Sequence, residues 1–376
     1  MMPQLTVLGA ATLLTGLGFV PALCAQEATS SSTRDSTLDA TVHEAPVEVG
    51  SNILDAEAKE HLGLSVKGPN GNIIHIRRPP HSNAPRAREA DAVPPTTSNV
   101  EYHGGPVMTT AVIYTIFWIP SNLQNGAPTS MSKAYMNLQN RFFADYPGHG
   151  IDNNNTQYYQ VVNGVTTYAH NRGTFAGKNG TFTDTSPYPA SGCTDSVTPG
   201  NCITDAQVQA EIQNVIASQG WPSGGLTNVY MLFTSNGEGS CFDSTSTACA
   251  FTEFCSYHSY AGTETSPIIY ANLPYGDTSI CQDSNTPSPN NNPDADTSIA
   301  NASHELTESI TDPLSNAWWG SGGNEIADDC YDGIASNDYS PNTWDGGLAN
   351  QQWNGHYYEI QGMWNNHTSQ CAQVGP

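Results

Sequence analysis

At 376 residues, with 37% hydrophobic residues, seven Trp and seventeen Tyr, the chain can bury a sizeable core, which excludes global disorder. A formal net charge of −24 excludes nucleic acid as a partner, because its phosphates need basic contacts, and disfavours anionic membranes. Charged residues make up only 12% while Asn, Ser, Thr and Gly abound, a texture common in exported proteins.

The first residues, MMPQLTVLGAATLLTGLGFVPALCA, form an apolar run ending in small residues. This predicts a signal peptide over 1–25, cut after Ala25. Cys24 follows Pro-Ala-Leu, a poor lipidation signal. No other stretch is long and apolar enough to span a bilayer, so no membrane contact is expected once the signal is removed. The expected location is secreted or extracellular, with periplasm or cell surface as variants.

Residues 26–98 differ from the rest. They hold no cysteine, carry seven of the eleven basic residues, and close on the Pro-rich RPPHSNAPRAREADAVPP, a linker composition. Within them LDAEAKEHLGL has a helical pattern, and LSVKGPNGNIIHIRR reads as a hairpin turning at Asn70-Gly71. Residues 101–376 carry four basic against 25 acidic side chains, a net charge of −21. A basic arm before an acidic domain fits a propeptide that docks on and blocks that domain; a flexible spacer fits equally well.

The main domain is expected over 99–376. AVIYTIFWIP reads as a buried strand, MSKAYMNLQNRFFADYP as an amphipathic helix and TTYAHNRGTFAG as an alternating strand. TDAQVQAEIQNVIASQG predicts a second helix, capped by Thr204 and stopped by Gly220. NVYMLFTS and PIIYANLPY read as strands on either side of a cysteine-rich insert around FTEFCSYHSYAG. A helix from about Asp296 to Ile310 follows, with Ile299, Ala302, Leu306 and Ile310 as its apolar stripe and Pro313 after its end. Strands mixed with helices give an α+β fold. After signal removal eight cysteines remain, an even number without a CxxC pair, which predicts disulfides rather than a cysteine metal site. The spacings suggest Cys193–Cys202, and Cys241 with either Cys249 or Cys255; a Cys330–Cys371 link would tie the tail to the site region.

The stretch ASHELTESITDP carries the chemistry. His304 and Glu308 stand four residues apart, which on a helix puts both on one face about 6 Å apart along the axis. Two such side chains can grip one metal ion, with Glu305 beside it as general base. This is the HExxH logic of zinc hydrolases with glutamate in place of the second histidine. A third ligand is needed. Asp312 continues the ladder but lies about 12 Å along the axis from His304, too far to share one ion. Glu325, in the acidic NEIADDC segment, is the better choice and is expected on a short second helix.

HELTE followed by NEIAD resembles the gluzincins, the thermolysin-like metallopeptidases. That resemblance implies a zincin-like mixed sheet with an active-site helix, Glu325 as the ligand, and Asp329 as the acceptor that orients His304. The departure is Glu308 where that family has histidine, which makes a harder, more anionic ligand set. Zn2+ is the default ion, with Mn2+ or Fe2+ as alternatives. More widely, the YHGGP start, NVYMLFTS, FCSYH, ASHELTESITDPLSNAWW, EIADDC and the Cys371 tail resemble the Exordium or phosphate-induced protein family of extracellular proteins.

His258, in FCSYH, is an additional candidate ligand or transition-state donor, whereas His103, His356 and His367 read as surface or packing residues. Trp318 and Trp319 are candidates to line a substrate cleft. There is no GxSxG elbow, P-loop or GxGxxG after a strand. These features predict a secreted zinc-dependent hydrolase, an endopeptidase acting on a peptide or protein substrate, with its own prosegment as a further partner. The competing expectation is a non-catalytic Exordium-like protein that binds cell-wall polysaccharide or signals.

Overall fold

The computed structural model describes residues 64–67, 73–77, 99–276, 281, 288–320, 323–330 and 349–376. The expected signal segment at 1–25, the LDAEAKEHLGL helix, the Asn70-Gly71 turn and the Pro-rich linker lie outside the described residues.

The fold is α+β, built on an eight-stranded mixed sheet. Its strands are β1 (Leu64–Lys67), β2 (Ile73–Arg77), β3 (Val112–Trp118), β4 (Thr174–Phe175), β5 (Thr181–Asp184), β6 (Asn228–Thr234), β7 (Ser256–Thr263) and β8 (Ser266–Leu273). The order across the sheet is β1-β2-β7-β8-β6-β3-β4, with β5 also pairing with β3. β3, β6 and β8 run parallel at the centre, and the hairpin β7–β8 and the pair β1–β2 add antiparallel strands on one side. The central strands are long apolar runs because both of their faces are covered.

Alternation along these strands divides the core into two layers. On one face Ile113, Phe117, Val229, Met231, Phe233, Ile269 and Leu273 meet the helices α1 (Lys133–Asp145) and α3 (Pro293–Thr311). On the other, Tyr114, Ile116, Trp118, Tyr230, Leu232 and Tyr270 meet α2 (Asp205–Gln219) through Val208, Ile212, Val215 and Ile216. Thr204 and Gln207 form a capping box at the start of α2, and Gly220 ends it at φ 63°, a left-handed conformation that favours glycine.

Two expectations shift. TTYAHNRGTFAG is not one strand: Val165–Tyr168 belongs to a separate hairpin and Thr174–Phe175 to the main sheet. The break arises because the carbonyls of Tyr158 and Thr109 take the Ala169 and His170 N–H groups and turn the chain. The insert around FCSYHSYAG contains a full sheet strand, β7, whose Ser/Tyr/His alternation is a two-faced strand pattern.

The hairpin β1–β2 joins this sheet through β7, with Tyr257 opposite Ile76 and Ser256 opposite Arg77. Ile74 and Ile76 are fully buried in the α2-side core. It forms part of one compact unit, Ser51–Pro376, with the main domain. Four disulfides close Cys193–Cys202, Cys241–Cys249, Cys255–Cys281 and Cys330–Cys371. They fit folding in an oxidising environment. Among the described residues no helix is long and apolar enough to cross a membrane.

Candidate metal centre

The helix α3 carries the motif and is set by its ends. Asn292 caps it, accepting from Ala295 N, Pro293 sits in the first turn, and Asp294 and Asp296 face the positive end of the dipole. Its stripe of Ile299, Ala302, Leu306 and Ile310 is buried in the core, which holds the helix flat against the sheet. His304, Glu305 and Glu308 are therefore buried too, each at most 1% exposed. Beneath it, β7 presents Ser256 and His258 to the helix, two residues apart on one face, while Tyr257 between them enters the opposite core.

The segment after the helix is pinned against it. Asp312 Oδ1 accepts from the N–H groups of Asn316 and Ala317 at 2.7 Å, turning the chain back. Glu308 Oε1 accepts from Ala327 N at 3.0 Å and Asp328 N at 3.2 Å. Trp364 N donates to Ile326 O, and the Cys330–Cys371 disulfide fixes the end of the segment. Among the described residues the expected second helix is a 3-10 turn over Asp328–Cys330.

Donor atoms converge in two groups. His304, Glu308 and Asp328 offer one atom each, all within 4.8 Å of one another; His258, Glu308 and Glu325 do the same. His304 Nε2 lies 3.0 Å from Glu308 Oε2 and 3.6 Å from Asp328 Oδ1. His258 Nε2 lies 3.6 Å from Glu325 Oε2, and His258 Nδ1 lies 3.8 Å from Glu308 Oε2. Glu305 stands on the His258 side: Ser256 Oγ donates to its Oε1 at 2.5 Å, and its Oε2 lies 3.2 Å from His258 Nδ1.

The tautomer of His304 can be deduced. Arg77 Nε donates to Gln361 Oε1 at 3.2 Å, and Gln361 Nε2 donates to Ala327 O at 2.7 Å, so the amide orientation is fixed. His304 Nδ1, 3.2 Å from the same Gln361 Oε1, must then be the donor. Its other ring nitrogen, Nε2, faces Glu308 Oε2. Both atoms are buried and neither has a hydrogen-bond partner. A buried carboxylate oxygen and an imidazole nitrogen 3.0 Å apart with no hydrogen bond form the kind of donor pair that a cation fills. The residues present fit a divalent metal ion.

Gln361 thus holds the position that the gluzincin resemblance assigned to Asp329. Asp329 instead accepts from Asn324 Nδ2 at 3.2 Å. Gln361 lies in no motif and comes from the C-terminal segment, so no spacing in the sequence points to it. Replacing it with Leu is expected to weaken metal affinity about 10- to 100-fold by freeing the imidazole orientation. Metal titration of the Gln361→Leu variant checks this, and an unchanged affinity would remove the assigned tautomer.

Burial dominates the electrostatics. It pushes Glu305 up to about 7 and Asp312 up to about 7, and raises Glu308, Glu325 and Asp328 well above the ordinary carboxylate range. Mutual repulsion among the carboxylates adds to it at Glu308 and Glu325. Burial, followed by the charge of nearby His304, lowers His258 to about 3 and keeps it neutral. Carboxyls this crowded ionise only with a counter-charge, and neutral imidazoles are ligands.

Of the expected ligands, the structure brings His304 and Glu308 together and adds Asp328. Glu325 is grouped with His258 rather than with His304. Asp328 was legible only as one more acid in NEIADDC. Trp318 does not face a cleft: it is 5% exposed, packs with Tyr102, Tyr158 and Tyr159, and donates to Tyr159 O. Trp319 stacks on His103. His356 pairs with Asp145 at 2.6 Å, away from the cluster. Cys193, Cys202 and Cys241 also lie close together, but each is committed to a disulfide.

A cavity of about 580 Å³ opens elsewhere, on the α2 face, lined by Trp118, Phe182, Asp184, Pro187, Glu211 and Val215 among others. Its carboxyls share a proton. Burial, then the hydrogen bond and charge of Asp184, raises Glu211 to about 9. At Asp184 burial is outweighed by hydrogen bonds from Glu211 and Ser186, leaving it below its usual value. Burial also raises Glu238 to about 8. A carboxyl raised in the fold stabilises it fully below the unfolded value near 4.5, and that contribution is lost as pH rises through the folded value. Melting temperature is therefore expected to fall by on the order of 5 °C between about pH 5 and pH 9. Glu211→Gln should flatten that slope in thermal scans; an unaltered slope would contradict the shared proton.

No family model matches this chain, and no curated protein or solved structure matches it. The reading of the site rests on its own geometry.

Proposed function

We propose that this is an exported, metal-dependent hydrolase of peptide bonds, with a zincin-like arrangement of motif helix on mixed sheet. One observation carries the reading: the Nε2 of His304 and the Oε2 of Glu308 face each other at 3.0 Å, buried and without hydrogen bonds. His304, Glu308 and Asp328 would hold the ion. Zn2+ is the default, and the carboxylate-rich set also suits Mn2+ or Fe2+. The likeness of HELTE and NEIAD to gluzincin motifs supports the peptidase class, and the signal-like start with four disulfides supports export.

A bound divalent cation supplies Lewis-acid polarisation of a carbonyl and a more acidic water. The chain supplies the proton path. Glu305 Oε2 takes the proton of the attacking water and returns it to the leaving amine. Ser256 donates to Glu305 Oε1 and fixes the carboxylate, with Oε2 turned to the His258 side. Neutral His258, whose Nδ1 lies 3.2 Å from Glu305 Oε2, helps to position that carboxylate.

The complete burial of the cluster favours a second reading, a cation that serves only the fold. Incubation of the purified protein with casein or a peptide library separates the two. The expected result is hydrolysis that a chelator stops and a divalent ion restores. Metal-replete protein that cleaves nothing would leave the structural reading in its place.

A further inference from the structure

Resting on the metal reading, we infer that the cluster is built for two divalent cations bridged by Glu308, rather than for one. The donor atoms fall into two sets that share only this carboxylate: His304 and Asp328 on one side, His258 and Glu325 on the other. Each set is one imidazole and two carboxylates. Within each set one atom from every residue lies within 4.8 Å of the others, close enough for each to reach a common ion at about 2 Å.

Glu308 is oriented for the bridge. Two backbone N–H groups occupy its Oε1, while Oε2, buried and without a hydrogen bond, is the atom that both sets approach. This gives a reason for glutamate at the position where the HExxH pattern has histidine. A neutral imidazole offers one lone pair to one ion, whereas a carboxylate can serve two.

Charge balance points the same way. Five buried carboxyls, Glu305, Glu308, Asp312, Glu325 and Asp328, lie in or against the cluster. Arg77, whose charge acts on Glu305, is the cation brought to the cluster by β2. So many carboxyls packed against one another call for more positive charge than Arg77 alone brings. Two such ions, held by these residues, would stabilise charge on both the attacking water and the leaving group of a hydrolysed bond.

The test is stoichiometry rather than activity. The purified exported protein is stripped with chelator, reloaded with Zn2+ alone, and analysed for bound zinc per chain; a parallel sample loaded with Mn2+ is examined by electron paramagnetic resonance. Two zinc ions per chain and a spin-coupled manganese signal are expected. His258→Ala and Asp328→Asn should each retain one ion and lose the coupled signal. Should His258→Ala not fold, Glu325→Gln reads the same set. One ion per chain in the wild type overturns the bridge yet leaves the metal-hydrolase reading standing, and no bound ion removes both.

Discussion

Replacing Glu305 with Gln is expected to lower peptide hydrolysis by a factor of about 10² to 10⁴, the usual contribution of a general base, while metal content stays at the wild-type level. The substitution preserves shape, and an amide oxygen can still accept from Ser256. It removes only the ability of Oε2 to accept a proton. Glu305 belongs to neither group of converging donors, so the ions should remain bound. Initial rates on a fluorogenic peptide, with metal analysis of the same preparation, check both halves. Activity within about tenfold of wild type would remove Glu305 from the proton path.

Stripping the metal is expected to cost the fold about 4 kcal/mol, or roughly 10 °C in melting temperature. The cost follows from what stays behind. Glu308, Glu325 and Asp328 are each at most 2% exposed, and their neighbours cannot hydrate them. Without a cation they must either take up protons or repel one another. The melting temperature of the chelated protein should climb with the logarithm of added ion, as linkage requires. A chelated sample melting within about 1 °C of the untreated one would show that the cluster needs no ion.

The N-terminal hairpin enters this ledger as well. Arg77 hydrogen-bonds Asn301 on α3 and Gln361 beside His304, so the strand from the basic arm supplies a cation at the back of the site. Asn301 lies in a glycosylation sequon, yet it is 1% exposed and bound to Arg77, which leaves no room for a glycan there. Of the four sequons, at Asn154, Asn179, Asn301 and Asn366, Asn179 is the exposed one.

The motif helix was legible in advance because its signals are local. The four-residue apolar stripe and Asp-Pro at the end gave it away, while its start, expected near Asp296, lies at Pro293 with Asn292 as cap. Spacing alone then put His304 and Glu308 on one face. The buried strands, the two other helices and the Cys193–Cys202 link were likewise readable from short-range patterns.

Sequence by itself determined that the chain would present a histidine and two glutamates on one buried helix. Tertiary structure alone decided which partners meet them. His258 comes from a sheet strand, Arg77 from the N-terminal hairpin and Gln361 from the tail, and each is placed by strand pairing or chain return across more than forty residues. Asp328 rather than Glu325 falls beside His304 because Glu308 draws the Ala327 and Asp328 N–H groups onto its own carboxylate. Such choices depend on where distant backbone segments dock, and no periodicity within a segment records that.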